Sequence, residues 1–337
     1  MPLKVDRRTT SCLVGLLVSL LVCEFASAKE GSVVTSTGVV THRGITTTSN
    51  TVGWLLLCQP SHTLPDDPIS FPGQPGASHL HDFFGNANTN AYSTVISQES
   101  SSNYVIADSY NGNSVSAGTS CDLGFFSEPG TAGDTASYWA PVLFANGQSV
   151  TPTEKAELYY RAKPVFGTGF EPFPQDARLV VGNHHATSIT DNDAIVNGHL
   201  YWECHGDTTT HYQVPPTSCT NLLLNVTFPS CYDNGPMDHQ GPHGSDNQHF
   251  AYPVNNQCPA GFLHKVPTLS EKFMYTVPNI GMNLQLSADA GTDQLAPMYT
   301  AHADFWNTWN PVSLQYLVDL CINAQISCGT NPVVPLQ

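Results

Sequence analysis

Short runs of apolar residues, separated by turn residues, dominate the chain from about residue 52 to residue 328. The runs are rich in Val, Tyr, Thr, Trp and Phe, which favour extended strands. Gly-Asn, Pro-Gly, Asn-Gly and Pro-Asn pairs stand between them and are typical of turns. We therefore predict strands within eight stretches: 51–58, 91–97, 137–144, 156–162, 177–182, 211–215, 221–229 and 272–277.

Helical periodicity is clear in one place, residues 311–324. Leu314, Leu317, Val318 and Cys321 follow the i, i+3, i+4, i+7 spacing of one helix face, and Pro311 stands near the start, where proline is tolerated. The pattern as a whole predicts a mainly β fold. We expect a large antiparallel β-sandwich or jelly-roll-like domain with long loops and a C-terminal helix.

The first residues have the pattern of a targeting segment. A basic start is followed by a short apolar core and by Ala-Ser-Ala, a small-residue cleavage site. Residues 29–51 are small, polar and β-branched. After them, the alternation of strand-like runs and turn residues continues without a change in composition. The sequence thus predicts a signal peptide (1–28), an N-terminal leader (29–51), a single β-rich domain (52–328) and a C-terminal tail (329–337).

Charge and composition narrow the possible partners. The net charge is −16, and it becomes −17 without residues 1–28, because three basic and two acidic residues leave with them. Such a charge repels phosphate backbones and anionic lipids, so we expect no nucleic-acid partner. No later run of apolar residues is long enough to span a bilayer, so we expect no membrane association after cleavage. The expected localisation is secreted and extracellular.

Eight cysteines remain after the targeting segment, and an even number in an exported chain indicates four disulfides. Sequence alone leaves 105 pairings open, and we favour the pairs of near neighbours. No Cys-x-x-Cys spacing occurs, which argues against a zinc–cysteine cluster. Asn225 begins the sequon Asn-Val-Thr and is a predicted glycosylation site. The favoured disulfides are Cys204/Cys219, Cys231/Cys258 and Cys321/Cys328, which leaves Cys58/Cys121.

The first candidate for chemistry is the stretch GASHLHDFFGN, residues 76–86. In an extended segment His79 and His81 point to the same face, because side chains alternate along a strand. Two histidines on one face can bind a metal, bind a substrate hydroxyl, or form an acid/base pair. Asp82 follows directly as a candidate carboxylate. The alternative is that both histidines are structural and bond to loop carbonyls.

A second cluster, MDHQGPHGSDNQHFAYP, covers residues 237–253. It contains His239, His243, Asp246 and His249 within a short polar segment, a density typical of metal or polar-ligand binding. His249 runs directly into an apolar stretch, so we expect it to be fixed and partly buried. Burial beside a carboxylate can tune the pKa of such a histidine. For His239 and His243 a solvated loop remains an equal alternative.

The third cluster is TAHADFWNTWN, residues 300–310. His302 and Asp304 are again two residues apart. Trp306, Asn307 and Trp309 surround them, and aromatic rings beside amide groups suit sugar recognition by stacking and directed hydrogen bonds. The alternative for Trp306 is an aromatic core residue that precedes the helix.

An ordered series of motifs across residues 52–328 resembles an uncharacterised secreted family. The motifs are SHLHDFFGN, YWAPVLF, YYR, FPSCYDN, HFAYP and HADFWNTW followed by LQYLVDLC. The family is known as a domain of unknown function from fungi and actinobacteria, and some fungal members are joined to carbohydrate-linked WSC domains. This chain departs from the pattern just before His249. Positions that match the family motifs are His79, His81, Asp82, Asn86, His249, His302, Asp304 and Asn307.

Three functions fit these residues. The first is a glycan hydrolase that uses a His/Asp cleft, with Asp82 and Asp304 as the best carboxylate pair. The second is a non-catalytic glycan-binding or cell-wall protein. The third is a metalloprotein in which histidines and an aspartate hold a divalent metal as cofactor. In the first two the partner is a polysaccharide or cell-wall glycan. The predicted catalytic residues are His79, His81, Asp82, His249, His302 and Asp304, and the predicted substrate-binding residues are Asn86, Trp306, Asn307 and Trp309.

Overall fold

A computed structural model describes residues 52–95, 118–123, 134–152, 154–165, 167–207, 209–289 and 298–332. It also describes the backbone of short strands within 33–48, 105–106 and 114–116. The predicted signal peptide, residues 1–28, lies outside the described residues, as does the tail beyond residue 332. The leader contributes three short strands that form a sheet of their own.

The described chain is built mainly of β-strands. In chain order they are β1 (Val33–Val34), β2 (Val39–His42), β3 (Ile45–Thr48), β4 (Gly53–Cys58), β5 (His62–Leu64), β6 (His81–Gly85), β7 (Val105–Ile106), β8 (Ser114–Ser116), β9 (Asp122–Leu123), β10 (Ser137–Pro141), β11 (Leu143–Ala145), β12 (Gln148–Val150), β13 (Ala156–Arg161), β14 (Arg178–Gly182), β15 (Leu200–Cys204), β16 (Asn221–Thr227), β17 (Cys231–Tyr232), β18 (Phe250–Ala251), β19 (His264–Lys265), β20 (Thr268–Thr276), β21 (Leu284–Leu286), β22 (His302–Trp306) and β23 (Ser327–Thr330).

Among the residues that the structure describes, helical elements are few and short. They are α1 (Asp193–Val196), α2 (Pro311–Leu317), four 3₁₀ turns (Ile189–Asp191, Pro242–Gly244, Asn247–His249 and Ser287–Asp289) and a π-helical segment, Val318–Asn323, that extends α2. The side chain of Asn310 accepts the backbone N–H groups of Val312 and Ser313, which caps the start of α2. Among the described residues, no helix has the length and apolar character that a membrane crossing requires.

Two larger sheets carry the architecture. One has the strand order β15-β16-β20-β13-β4-β23, and the other has the order β14-β22-β10-β6-β5. All neighbours in both sheets are antiparallel except β23, which runs parallel to β4. The predicted mainly β, antiparallel class with a C-terminal helix is therefore confirmed.

The two sheets pack face to face as a β-sandwich. The ring centroids of Phe84 on β6 and Phe273 on β20 are 5.0 Å apart. The hydroxyls of Tyr138 on β10 and Tyr160 on β13 approach to 2.6 Å. These side chains belong to one buried cluster that draws residues from both sheets. Burial of this apolar surface is the main stabilising term of the fold.

The other face of the five-stranded sheet, which we call the outer face, is also buried. Alternation along β22 sends Ala303 and Phe305 into the inter-sheet core, and it sends His302, Asp304 and Trp306 to the outer face. A second small core covers this face and contains Ile69, Phe83, Trp139, Val180 and Trp306. The segment between β5 and β6 lies over it through Ile69. Polar groups on this face are consequently removed from water.

Six of the eight predicted strand stretches contain strands. Residues 91–97 do not form one in their described part, which is a turn, and residues 211–215 supply only a bridge from Tyr212 to Trp202. Several described strands lie outside the predicted stretches, and two of them, β6 and β22, lie where the sequence suggested chemistry. β23 follows the helix, at the position where the sequence predicted the start of the tail.

All four favoured disulfides are confirmed: Cys58–Cys121, Cys204–Cys219, Cys231–Cys258 and Cys321–Cys328. The predicted glycosylation site is not met in this structure. Asn225 is only 3% exposed inside β16, and its amide donates to Glu203. A buried side chain has no room for a glycan, which corrects the expectation from the sequon.

Gly182 ends β14 in the left-handed region, with φ +107°, and it packs against β22. A Cβ there would lie 2.3 Å from the carbonyl oxygen of Ala301 and 2.7 Å from Cα of His302. We expect Gly182→Ala to lower the free energy of unfolding by about 3 kcal/mol, because backbone strain and a steric clash add. Gly198→Ala is the matched control, since φ is +72° and nothing lies within 4 Å of its Cβ; about 1 kcal/mol is expected there. Urea unfolding of both variants measures the difference, and equal losses would contradict the close approach.

Candidate metal centre

Six histidines gather on the outer face and beside it. Rings in contact have centroids between 4.1 and 5.9 Å apart. Two of the six begin strands that flank β10, so the sheet register brings them together from distant parts of the chain. We call the set the histidine cluster: His79, His81, His184, His185, His243 and His302.

Three ring nitrogens converge at the inner end of the cluster. Nε2 of His302 lies 3.1 Å from Nε2 of His79 and 3.2 Å from Nε2 of His81. The ligating nitrogens of these three residues all lie within 4.8 Å of one another. Two nitrogens that bind one tetrahedral ion at Zn–N distances of 2.0–2.1 Å stand roughly 3.3 Å apart. The observed spacing therefore fits a shared ion, and we call this group the inner centre.

Backbone carbonyls fix the tautomers of the two buried rings. Nδ1 of His81 lies 2.9 Å from the carbonyl oxygen of Asp66, and Nδ1 of His302 lies 2.7 Å from that of Thr300. A carbonyl only accepts, so each Nδ1 carries the hydrogen and each neutral Nε2 presents a lone pair. The two lone pairs then face each other without a proton between them. Carbonyl contacts of this kind orient histidines that bind metals.

Burial keeps these imidazoles neutral. It lowers the pKa of His81 and of His302 well below the ordinary value, and neighbouring histidines lower both further. The same two causes, burial first, lower the pKa of His79 to about 2 and that of His184 to about 4. Neutral imidazole is the form that binds metal ions. These four imidazoles therefore need no deprotonation near neutral pH before they can take a cation.

A buried carboxyl group accompanies the inner centre. Both oxygens of Asp304 are buried and have no hydrogen-bond partner among the described residues. Burial raises its pKa well above the usual range, and the nearby carboxyls of Asp67 and Glu271 raise it further. Its Oδ2 is 3.9 Å from Nε2 of His302. A cation at the inner centre would give this carboxyl group a positively charged neighbour.

A cavity of about 540 Å³ adjoins the cluster and gives access to it. His79, His184 and His185 line one part of it. Phe71 and Phe144, both half-buried, form an apolar part of the cavity wall. One residue of the inner centre, His79, thus lines a cleft that is large enough for a small molecule or for part of a polymer.

The predicted catalytic residues do not all meet. His79, His81, His302 and Asp304 come together as described. Asp82 lies on the opposite face of β6, where it accepts a hydrogen bond from the Thr63 hydroxyl at 2.6 Å. Since the sheet separates Asp82 from Asp304, the expected carboxylate pair is not formed.

The second sequence cluster divides between two places. His243 joins the histidine cluster, whereas His249 contacts Asp233 at 3.0 Å and has no described contact with the six histidines. His239 lies between Asp246 and Asp176, with nitrogen–oxygen distances of 3.0 and 3.1 Å. The histidines of this stretch therefore do not form one site, although they are close in sequence.

The four predicted substrate-binding residues are interior, which corrects that expectation. Trp306 is fully buried and donates its indole N–H to Asp176, and Trp309 donates to the hydroxyl of Tyr160. A ring enclosed by protein cannot stack on a sugar. The amides of Asn86 and Asn307 are also buried and donate to backbone carbonyls, Asn86 to Thr135 and Asn307 to Phe173 and Pro174.

Two histidines of the cluster were not predicted. His184 and His185 stand just after β14, in a turn held by the Asn183 side chain, which accepts the backbone N–H of His185 at 2.9 Å. Their signal in the sequence is an adjacent pair of histidines at the end of a predicted strand, 177–182. Loops at strand ends commonly carry functional side chains.

The low pKa of His79 gives the metal-free protein a specific pH dependence. In the unfolded chain this residue takes up a proton below pH 6.5, but the folded protein does not. Stability therefore falls as the pH falls, by up to about 1.4 kcal/mol per pH unit for this group. Between pH 6 and pH 4 we expect the free energy of unfolding of wild type to fall more steeply than that of His79→Gln, by up to this amount for each pH unit. Urea unfolding in the presence of a chelator measures both profiles. Parallel pH profiles for the two proteins would contradict the burial of a neutral imidazole.

Comparison with known proteins adds a family to this geometry. The family model for a domain of unknown function, DUF1996, matches residues 67–309. This range includes all six residues of the histidine cluster. No curated protein and no solved structure shows a significant match to the chain. Since the matched segment covers more than half of the sequence, the chain belongs to the DUF1996 family.

Proposed function

We propose that this protein is an exported metal-dependent hydrolase whose reactive ion is held by His79, His81 and His302. The observation that carries the proposal is the convergence of three Nε2 atoms beside a cleft that His79 lines, with two of the tautomers fixed by carbonyls. Neutral imidazoles suit zinc, copper, nickel and iron, and three of them leave a coordination position open. The four disulfides support export.

The chemistry follows from the open position and from Asp304. A zinc-type ion lowers the pKa of a bound water to about 7 and so supplies hydroxide at neutral pH. Asp304 is the carboxyl group nearest to His302, and a neighbouring cation favours its ionised form. With an ion bound, the ionised carboxylate could accept the proton of the attacking water and pass it to the leaving oxygen or nitrogen as the scissile bond breaks. In this arrangement the ion and one carboxylate replace the pair of carboxylates that a glycosidase uses.

A polysaccharide remains the substrate class that we propose. Phe71 and Phe144 line the cleft and are half-buried, so part of each ring is open to contact. Aromatic faces stack on the apolar faces of sugars. These two rings take the role that the sequence had given to Trp306 and Trp309. Binding of a polysaccharide without any product would favour the alternative of a non-catalytic glycan-binding protein.

Metal binding is tested by thermal unfolding of chelator-treated, untagged protein with and without zinc. At a free zinc concentration about 1,000 times the dissociation constant, binding adds about 4 kcal/mol of stability, or roughly 10 °C in Tm. His302→Asn keeps a donor near Thr300 and removes Nε2, so we expect it to lose the part of this shift that the inner centre supplies. It should alter the metal-free Tm little, because the contact between two lone pairs is also removed.

His205→Asn is the control for metal binding, since His205 is exposed and outside the cluster. Its Tm should rise with zinc as that of wild type does. An equal zinc shift in His302→Asn and wild type would overturn the inner centre.

Hydrolysis is tested by mass-spectrometric detection of products from a panel of wall polysaccharides, esters and amides. We expect Asp304→Asn to retain one ion at the inner centre and to lose at least about 100-fold in rate, as removal of a general base does. Asp82→Asn is the matched control, because it is a buried aspartate on a neighbouring strand and its side chain lies on the other face of the sheet. Similar rates for Asp304→Asn and wild type would exclude the role given to Asp304.

A further inference from the structure

A second group of three histidines lies beside the inner centre. The ring of His184 is 4.1 Å from that of His185 and 4.4 Å from that of His243, and their ligating nitrogens lie within 4.8 Å of one another. We call this group the outer group. His184 also approaches the inner centre, with its ring 5.5 Å from that of His302 and 5.9 Å from that of His79.

Two separate loops build the outer group, and each is held in place. His184 and His185 follow β14 in the turn fixed by Asn183, whose amide also donates to the carbonyl of Asp191 at 2.8 Å. His243 adopts φ +58° within the 3₁₀ turn Pro242–Gly244. The turn lies directly against the segment between β5 and β6, because a Cβ on Gly244 would meet the carbonyl oxygen of Ile69 at 2.5 Å. The three rings are therefore brought together by the fold and not by their neighbourhood in sequence.

One buried ring nitrogen in the outer group has no hydrogen-bond partner among the described residues. This atom is Nε2 of His184, a residue that is only 8% exposed. A buried polar atom without a partner costs free energy and is rarely tolerated without a reason. His185 and His243 are exposed and offer their nitrogens from the solvent side. A cation between the three rings would satisfy the buried nitrogen.

The electrostatic surroundings favour a second cation. The carboxyl group of Asp67 is 2% exposed and interacts electrostatically with both His243 and Asp304. Burial raises the pKa of Asp67, and a cation nearby would favour its ionised form. The whole chain carries a net charge of −16, which raises the local concentration of cations.

We propose that His184, His185 and His243 form a second site for a divalent transition-metal ion, beside the inner centre and next to the cleft that His184 and His185 line. The site takes the same class of ion as the inner centre, because its ligands are imidazoles. It is more open to solvent, since two of its three ligands are exposed. The inference goes beyond the proposed function, because the outer group can bind its ion whether or not the inner centre is occupied.

Zinc stoichiometry distinguishes the two sites. Chelator-treated protein is equilibrated by dialysis against buffered zinc, and bound zinc per folded chain is measured by elemental analysis. We expect two ions for wild type, one for His302→Asn, one for His243→Asn and none for the double variant. Asparagine suits the positive φ at position 243 and so preserves the turn. Circular dichroism confirms that each variant is folded, and His185→Gln serves as the second outer variant if His243→Asn does not fold.

The failure of each proposal has its own signature. One ion in wild type, retained in His243→Asn and lost in His302→Asn, would overturn the outer site and leave the inner centre intact. One ion that is retained in His302→Asn and lost in His243→Asn would overturn the inner centre and support the outer site. Two ions in every variant would assign zinc to other parts of the surface and overturn both. His205→Asn should bind as wild type does.

Discussion

Two imidazole lone pairs held face to face in a dry part of the protein are the feature on which the site depends. Nε2 of His81 and Nε2 of His302 are 3.2 Å apart, and carbonyls on the far side of each ring prevent either from turning its hydrogen inward. Without a cation this contact is repulsive, and burial removes the protons that would relieve it. With a cation the same geometry becomes a ligand set. The fold therefore maintains an arrangement that is stable on its own only because stronger packing surrounds it.

That packing is set by the register of the five-stranded sheet. Trp139 on the central strand β10 lies opposite Phe83 on β6 and Asp304 on β22. A slip of one residue would send the two histidines into the inter-sheet core and bring Phe84 and Phe305 to the outer face. The large rings of the small outer core prevent such a slip because they fill that face. This also explains why Trp306 is buried: it packs in the small outer core and donates its indole N–H to Asp176.

The sequence predicted the features that depend on local periodicity, and it failed where side chains from distant strands decide the outcome. Period-two runs such as 156–162 and the helical spacing of Leu314 and Leu317 identified the elements, and short cysteine separations identified the disulfides. The burial of Trp309 depends on the hydroxyl of Tyr160, which lies 149 residues away in sequence. No local pattern reports such a contact. In the same way His184 reaches the cluster only through the pairing of β14 with β22.

The placement of Asp82 shows why an ion fits this fold better than a second carboxylate does. Adjacent residues in a strand point to opposite faces, so His81 and Asp82 can never serve the same cleft while β6 stays paired on both sides. Asp304 is then left as the carboxyl group beside the histidines, and one carboxyl cannot both protonate a leaving group and activate a water across a sugar ring. A metal ion held by His79, His81 and His302 would remove that requirement, because it would lower the pKa of a bound water and stabilise the developing charge. For the proposed hydrolase, the alternation of β6 thus favours metal-dependent chemistry over a pair of carboxylates.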